Sequence, residues 1–408
     1  TYTRDGVTTK ETYTFDSFGR TVSILNADGS SSYYSYKNDG GKAQHKVSQA
    51  SSGEKHVNNM LLNTSAEDTS STAWRTSRWA QTNYTHSVDS STSYLGQRSW
   101  KVTQDDANPT YIGYYQPINK TSGTYTLSGY VKTQNVTGGR GAGLYVAFQN
   151  ANGHFDTALT VPCIQGTNDW QRISLTFTVP SGTTSFWVQM GLLGSNGTCW
   201  FDCMQLEQGT TMNAYNMLEN SDFSSSGSWG MSSDIPSGDG VTGGRFRISG
   251  DPLKNYAGHQ RVYIKRKLTA VNVSGKATAN SVPLTGDGRI FCLYVEVHYA
   301  DGTISWLPQS FNAQCTGEQY LNRTVMIPQE KQNSVIDFIV FYLSYYKNAN
   351  TAYFDEVMMT FDETGTAYTY DSKGNPISAK DNASRNQAYT FNNVNELTKY
   401  TEPNNDSY

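Results

Sequence analysis

The chain has 408 residues, enough for two to four domains that each bury a core, and carries a formal net charge of -4. That charge leaves no basic footprint for nucleic acid, and no apolar run approaches the roughly 20 residues that cross a bilayer as a helix. Aromatic residues make up 13% with 28 tyrosines and charged residues only 16%, so many short strands with polar outer faces are expected and long amphipathic helices are not. The chain opens without a basic-then-apolar leader and reads as a soluble piece of a longer polypeptide.

In chain order the first signal is YTFDSFG, Tyr13 to Gly19, which recurs as YSYKNDG from Tyr34, 21 positions on. The phrase returns near the other end as YTYDSKG from Tyr368 and, again 21 positions on, as YTFNNVN from Tyr389. A fixed short period marks a repeat, and the residues spell hairpins: Tyr and Phe alternate onto one face, Asp bonds the turn backbone, and Gly accepts positive φ. These residues resemble the YD repeats of the RHS family of large bacterial surface and toxin-carrying proteins, over roughly the first 55 and last 45 residues. The resemblance implies hairpins that spiral into a shell, of which two repeats at each end supply a fragment. Residues 1–58 and 363–408 are therefore expected to form one contiguous β-hairpin sheet.

Between the ends, residues 59–215 and 216–362 align with each other. LYVAFQNANG, Leu144 to Gly153, matches LYVEVHYADG, Leu293 to Gly302, as a strand running into a Gly turn. YTLSGYVK from Tyr125 matches VNVSGKAT from Val271, the openings NMLLNTSAED and NMLENSDFSS correspond, and the closing strands TCWFDCMQLEQG and TAYFDEVMMTFD pair Asp202 with Asp355. Each unit reads as eight or so short alternating strands, the pattern of a β-sandwich. The opening N-M-L, the central S-G strand and the closing F-D together resemble jelly-roll carbohydrate-binding modules of the cellulose- and xylan-binding type. The expected fold class is thus all-β: two tandem jelly-roll sandwiches inserted into a YD-repeat sheet.

Sugar recognition uses flat aromatic faces with polar side chains reaching the hydroxyls. In the first unit the candidates are Trp74, Trp79, Tyr84, Tyr111 and Tyr115, with Trp100 on an alternating strand assigned to the core; alternation puts Tyr111 and Tyr115 on one strand face and Tyr114 on the other. In the second they are Trp229, Tyr256 and Trp306, with His259 and Tyr299 beside them, while His298 reads as an ordinary strand histidine. The module resemblance also implies a structural calcium, held by Glu67 and Asp202 in the first unit and by Asp355 in the second, where Ser224 replaces the glutamate and Asp222 is the nearest substitute.

Other chemistry finds little support. Cys199 and Cys203, four apart on one strand, are expected to share a face as buried thiols, and no CxxC or HExxH is present. The glycines from Gly238 to Gly243 precede a strand and so form a loop, not a dinucleotide site. Acidic residues are sparse and sit mostly in turns, which leaves glycoside hydrolysis without a paired site. The reading that follows is a non-enzymatic glycan-binding pair on the shell of a bacterial secreted or cell-surface protein. Its partners are a polysaccharide and the rest of the shell, without nucleic acid or a membrane span. The rival from another class is protein adhesion or spacing.

Overall fold

The computed structural model describes residues 2–4, 7–9, 11–15, 18–25, 31–37, 42, 45–53, 56–78, 83–153, 155–159, 163–279, 288–311, 317–331, 333–361, 366–381 and 386–402. Among them the chain is all-β, with one 3-10 turn at Gln329–Lys331 and no α-helix.

The two ends meet in one sheet from Thr12 on, while Tyr2–Arg4 and Val7–Thr9 pair in a separate two-stranded sheet outside the contiguous one expected. Strands Thr12–Phe15, Thr21–Leu25, Ser31–Tyr36 and Val47–Gly53 are followed in spatial order by Thr366–Tyr370, Pro376–Asp381, Asn386–Phe391 and Leu397–Thr401. The join is antiparallel, with Thr366 opposite Ala50. The Tyr370 hydroxyl donates to the Val47 carbonyl at 2.6 Å and the Lys46 ammonium to that of Gly374 at 2.7 Å. The turn chemistry is visible at Asp371, whose Oδ1 accepts the amides of Lys373 and Asn375 while Gly374 sits at φ +87. Asp16, its counterpart in the first repeat, lies outside the described residues.

Between the ends stand two sandwiches, each with ten strands among the described residues, two more than the sequence suggests. In the first, one sheet runs Phe155–Leu159, Gly141–Asn150, Thr183–Leu193, Tyr111–Ile118, Arg75–Arg78; the other runs Gly166–Thr178, Thr124–Thr137, Asn196–Gln208, Ser99–Gln104, Tyr84–Asp89. In the second, the orders are Ile304–Ser310, Ile290–Tyr299, Ile336–Tyr346, Asn255–Arg266, Gly230–Met231 and Gln319–Met326, Ala270–Ala279, Thr351–Phe361, Arg245–Ser249, Gly240–Thr242. The orders match strand for strand, and LYVAFQ and LYVEVH occupy the same place. The glycine-rich stretch from Gly238 turns out to hold a short strand that pairs with Arg245–Ser249.

Irregularities are duplicated as well. Positive φ recurs at Asn63 and Asn220, at Ala66 and Phe223, and at Cys203 and Glu356. The last pair faces register breaks between Ser128 and Tyr130 and between Ser274 and Lys276, so both closing strands bulge after the Asp of their F-D. Each copy clamps its opening segment with a buried glutamine amide: Gln116 bonds both backbone groups of Leu62, and Gln260 both those of Glu219. The bulge corrects the expectation for the cysteines. Because it resets the alternation, Cys199 packs into the core of the first sandwich and Cys203 into the cluster dominated by the second. Cys199, Cys203 and Cys292 are free thiols, and burial pushes that of Cys292 up to about 12.

Alternation builds both cores. In Ile290–Tyr299, Phe291, Leu293, Val295 and Val297 are buried while Tyr294, Glu296 and His298 face outward, and each such buried side chain contributes about 1.5–3 kcal/mol. The sandwiches are joined through their openings: the amides of Asn220 and Ser221 donate to the carbonyls of Leu61 and Asn59. Leu95, Cys203 and Tyr215 of the first unit belong to the second unit's core cluster.

Candidate functional site

The outer face of one sheet of the second sandwich can be read from its register. Across four strands lie Tyr263, Phe338, His298 and Ile304; then Arg261, Val340, Glu296 and Trp306; then His259, Tyr342, Tyr294 and Pro308. The intervening residues Tyr256, Gly258, Gln260 and Val262 point to the other side. The result is a platform of aromatic and polar groups. His298 stacks on Phe338 with ring centroids 4.2 Å apart, its Nε2 is 2.6 Å from Glu296 Oε1, and the Arg261 guanidinium lies 4.5 Å from the centre of the Phe338 ring. His259 rests 5.7 Å from Tyr342 and against the backbone of Gly230, where a Cβ would meet its ring. Burial and Arg261 lower its pKa, so it is neutral at pH 7.

The opening segment of the first sandwich forms the opposite wall. Leu62, Asn63, Glu67, Asp68 and Ser71 face the platform across a cleft of about 720 Å³. Their course is fixed locally: the Asn63 side chain exchanges two hydrogen bonds with the Asp68 backbone, and Asp68 Oδ1 accepts the amide and hydroxyl of Ser70. Glu219 closes the seam between the sandwiches. Its carboxylate accepts the amides of Asn63 at 2.6 Å and Thr64 at 3.0 Å and the hydroxyl of Ser228 at 2.7 Å. Burial raises its pKa, with Asp68 adding repulsion. Four carboxylates, Glu67, Asp68, Glu219 and Glu296, thus line the cleft against one guanidinium, Arg261.

The residues singled out from sequence distribute differently. Trp74 is 6% exposed, its indole donates to the Leu62 carbonyl, and it packs on Trp100, so it is core and presents no face. Tyr256, 5% exposed, is core because its strand parity turns it inward. Trp229 is half-buried against the second core, its Nε1 3.3 Å from the Asn220 carbonyl, and Tyr84 is half-buried in the sheet opposite Tyr111 and Tyr115. Tyr111 and Tyr115 share the outer face of the first sandwich, beside Tyr145 at 4.8 Å and stacked on Trp187 at 4.6 Å, whereas Tyr114 is core. Of those described, Trp306 alone is exposed, at 59%, in line with Glu296 at the edge of the platform. Trp79 lies outside the described residues. Sequence reasoning passed over Tyr263, Glu296 and Tyr342, although alternation with the apolar residues of their strands marks each as outward.

The carboxylates expected to hold calcium are already engaged. Asp202 accepts three backbone amides, those of Tyr94, Leu95 and Cys203, and Glu67 Oε1 accepts those of Gln97 and Arg98. Asp355 accepts the Glu356 amide and lies 3.5 Å from Arg245, while Asp222 is taken up by Ser224. Calcium requires about six to eight oxygen ligands. Here N–H groups converge on the carboxylates instead, and no group of three or more His, Cys, Asp or Glu among the described residues is arranged to hold a metal. The donor set does not fit the ion.

No family model matches the chain. It is 27% identical over 272 residues to the tRNA nuclease WapA of Bacillus subtilis (strain 168), covering 63% of this chain and 11% of that protein. It is 28% identical over 232 residues to the tRNA(Glu)-specific nuclease WapA of Bacillus subtilis subsp. natto (strain BEST195), covering 53% and 10%. The chain therefore spans about a tenth of the length of these relatives. Among solved structures, the tandem of family 22 carbohydrate-binding modules from Paenibacillus barcinonensis Xyn10C is 14% identical with a TM-score of 0.30, over 76% of this chain and 99% of that one. The module TmCBM61, solved with beta-1,4-galactotriose, is 15% identical with a TM-score of 0.28, over 37% and 99%. The relatives overturn the expectation of a glycan binder with no enzymatic role, because they are named as tRNA nucleases.

Proposed function

We propose that the chain is a segment of a bacterial polypeptide that cleaves tRNA, and that its inter-sandwich cleft is a ligand-recognition site within that protein. The observation that carries the nuclease reading is the 272-residue match to a tRNA nuclease. The cleft is a poor place to hold the RNA itself. Phosphodiesters are drawn to clustered Lys and Arg, and four carboxylates facing one guanidinium repel them. The cutting chemistry is therefore assigned away from the cleft. What the cleft offers is the flat rings of Tyr263 and Tyr342 edged by hydrogen-bonding groups, a combination suited to a polyhydroxylated partner.

The eight-stranded sheet is read as a portion of a YD-repeat shell, supported by the 21-residue period and the Asp371 turn, with divisions at 1–58, 59–215, 216–362 and 363–408 and a site of action outside the producing cell. The test is to incubate tRNA with the full-length parent polypeptide and with this segment alone. Cleavage by the parent and not by the segment is expected. Cleavage by the segment would move the chemistry into these residues, and an inert parent would overturn the nuclease reading.

A further inference from the structure

Resting on the reading of the cleft as a site for a polyhydroxylated ligand, we infer that it selects an amine-bearing saccharide, one whose rings carry ammonium groups. The charge balance of the walls is the first observation. Glu67 and Asp68 come from the opening of the first sandwich and Glu219 and Glu296 from two places in the second, so the negative potential belongs to the cavity and not to one loop. Within it the protein supplies little compensation. Arg261 is held over Phe338, His259 is neutral, and His298 is already bonded to Glu296.

The second observation is an oxygen left over. Glu67 Oε1 is satisfied by two amides, but Oε2 is buried with no hydrogen-bond partner, and the Arg98 guanidinium stands off at 3.7 Å. A buried carboxylate oxygen without a hydrogen-bond donor is costly, so Glu67 keeps an unmet acceptor beside the cleft. Burial raises the pKa values of Glu67 and Glu219 by penalising their charged forms, a penalty that a ligand cation would offset. An ammonium group brings one positive charge and three donors without the six to eight oxygens that calcium demands.

The third observation is the aromatic floor. Tyr263 and Tyr342 line the cleft, and Trp306 lies on the strand beside Glu296 with 59% of its surface exposed. Rings so placed stack on the C–H faces of a saccharide and attract a cation above them. Their spread across neighbouring strands suits several linked rings better than a single sugar.

Titration calorimetry on the full chain tests this, using a glucosamine tetramer, its N-acetylated counterpart, xylotetraose and spermine as probes. The free-amine tetramer is expected to bind roughly tenfold more tightly than its N-acetylated form, the value of one charge-assisted hydrogen bond, and to weaken as salt is added. Glu296→Gln and Asp68→Asn, both at accessible positions, should each lower its affinity by about three- to tenfold without moving the thermal melt. Equal or tighter binding of the N-acetylated tetramer or xylotetraose would overturn the amine inference and leave the polyhydroxyl reading standing. Failure of all three oligosaccharides would overturn both. Spermine binding as tightly as the tetramer would show that only charge is read, and would remove the saccharide from the inference.

Discussion

Trp74 and Trp306 have the same side chain and opposite fates, decided by what surrounds each. The Trp74 ring is enclosed between Leu62 and Trp100, so Trp74→Ala leaves a cavity and should cost about 3–5 kcal/mol in urea denaturation. Trp306→Ala, at an exposed edge, should change stability by less than about 0.5 kcal/mol while weakening ligand retention. A small loss for Trp74→Ala would contradict its place in the core. Three buried carboxylates set a pH dependence of their own. Burial raises Glu67 and Glu219, and pushes Asp202 up to about 8 in spite of three backbone amides that favour its charge. Groups whose folded pKa exceeds the unfolded value bind protons more tightly in the native state, so stability is greatest below the unfolded value near 4 and declines as pH rises through the folded one. The melting temperature should therefore be higher at pH 5 than at pH 8, and Asp202→Asn should flatten that slope. Melting curves that rise steadily toward pH 8 would contradict the assignment. Calcium at millimolar concentration should leave the melting temperature unchanged, because Asp202 and Oε1 of Glu67 already accept N–H groups and the oxygens left over fall short of the six to eight or so that the ion needs.

At the level of strands, alternation was enough to place most of the architecture. LYVEVHY writes its own two faces, and the repeat of that pattern 149 positions after LYVAFQN carries the duplication. Alternation also contained the inward turn of Tyr256, which is two residues from Gly258 and four from Gln260 on the buried side of its strand. What it could not show was the bulge after Asp202, because a single residue at positive φ reverses parity without any change in composition. That is why Cys203 parts from Cys199. The cleft was hidden for a different reason: its walls come from residues near 65, near 220 to 230 and near 260 to 340, and only the contact between the openings brings them together. Two glycines separate local from non-local constraints. A Cβ on Gly191 would sit 2.1 Å from the Ile112 carbonyl of the paired strand, so Gly191→Ala should cost at least about 2 kcal/mol. Gly302→Ala meets open space and pays only for its φ of +83, about 1–2 kcal/mol. Equal losses at the two positions, measured by denaturant titration, would mean that crowding between the strands is not what selects glycine at Gly191.

Across the molecule, the arrangement of the two sandwiches rests on a pair of equivalent asparagines, both fully buried. Asn59 Nδ2 donates to the carbonyls of Met204 and Asn216, and its Oδ1 accepts the amides of Leu61 and Leu206. Asn216 reaches further. Its Nδ2 donates to the carbonyls of Val57, in the segment that leads into the first unit, and Val357 of the second, and its Oδ1 accepts the amides of Leu218 and Met359. Asn59 therefore pins its opening mainly to its own closing strand, whereas Asn216 ties the second closing strand to the segment that leads into the first unit. Removing either side chain strands several buried backbone groups, each costing about 1–3 kcal/mol. The consequences should differ in kind. With the shared core cluster intact, the pair should unfold in one calorimetric transition, because neither sandwich can expose its opening without breaking the other's bonds. Asn59→Ala should lower that transition without dividing it. Asn216→Ala should split it in two, with the second sandwich melting first. The same variant should weaken ligand binding although Asn216 does not line the cleft, since Glu219 and Asn63 would no longer be held in register across the seam. A single, unshifted transition in Asn216→Ala would show that the sandwiches are coupled by their apolar contact alone, and that the cleft walls are set by packing instead of by this asparagine.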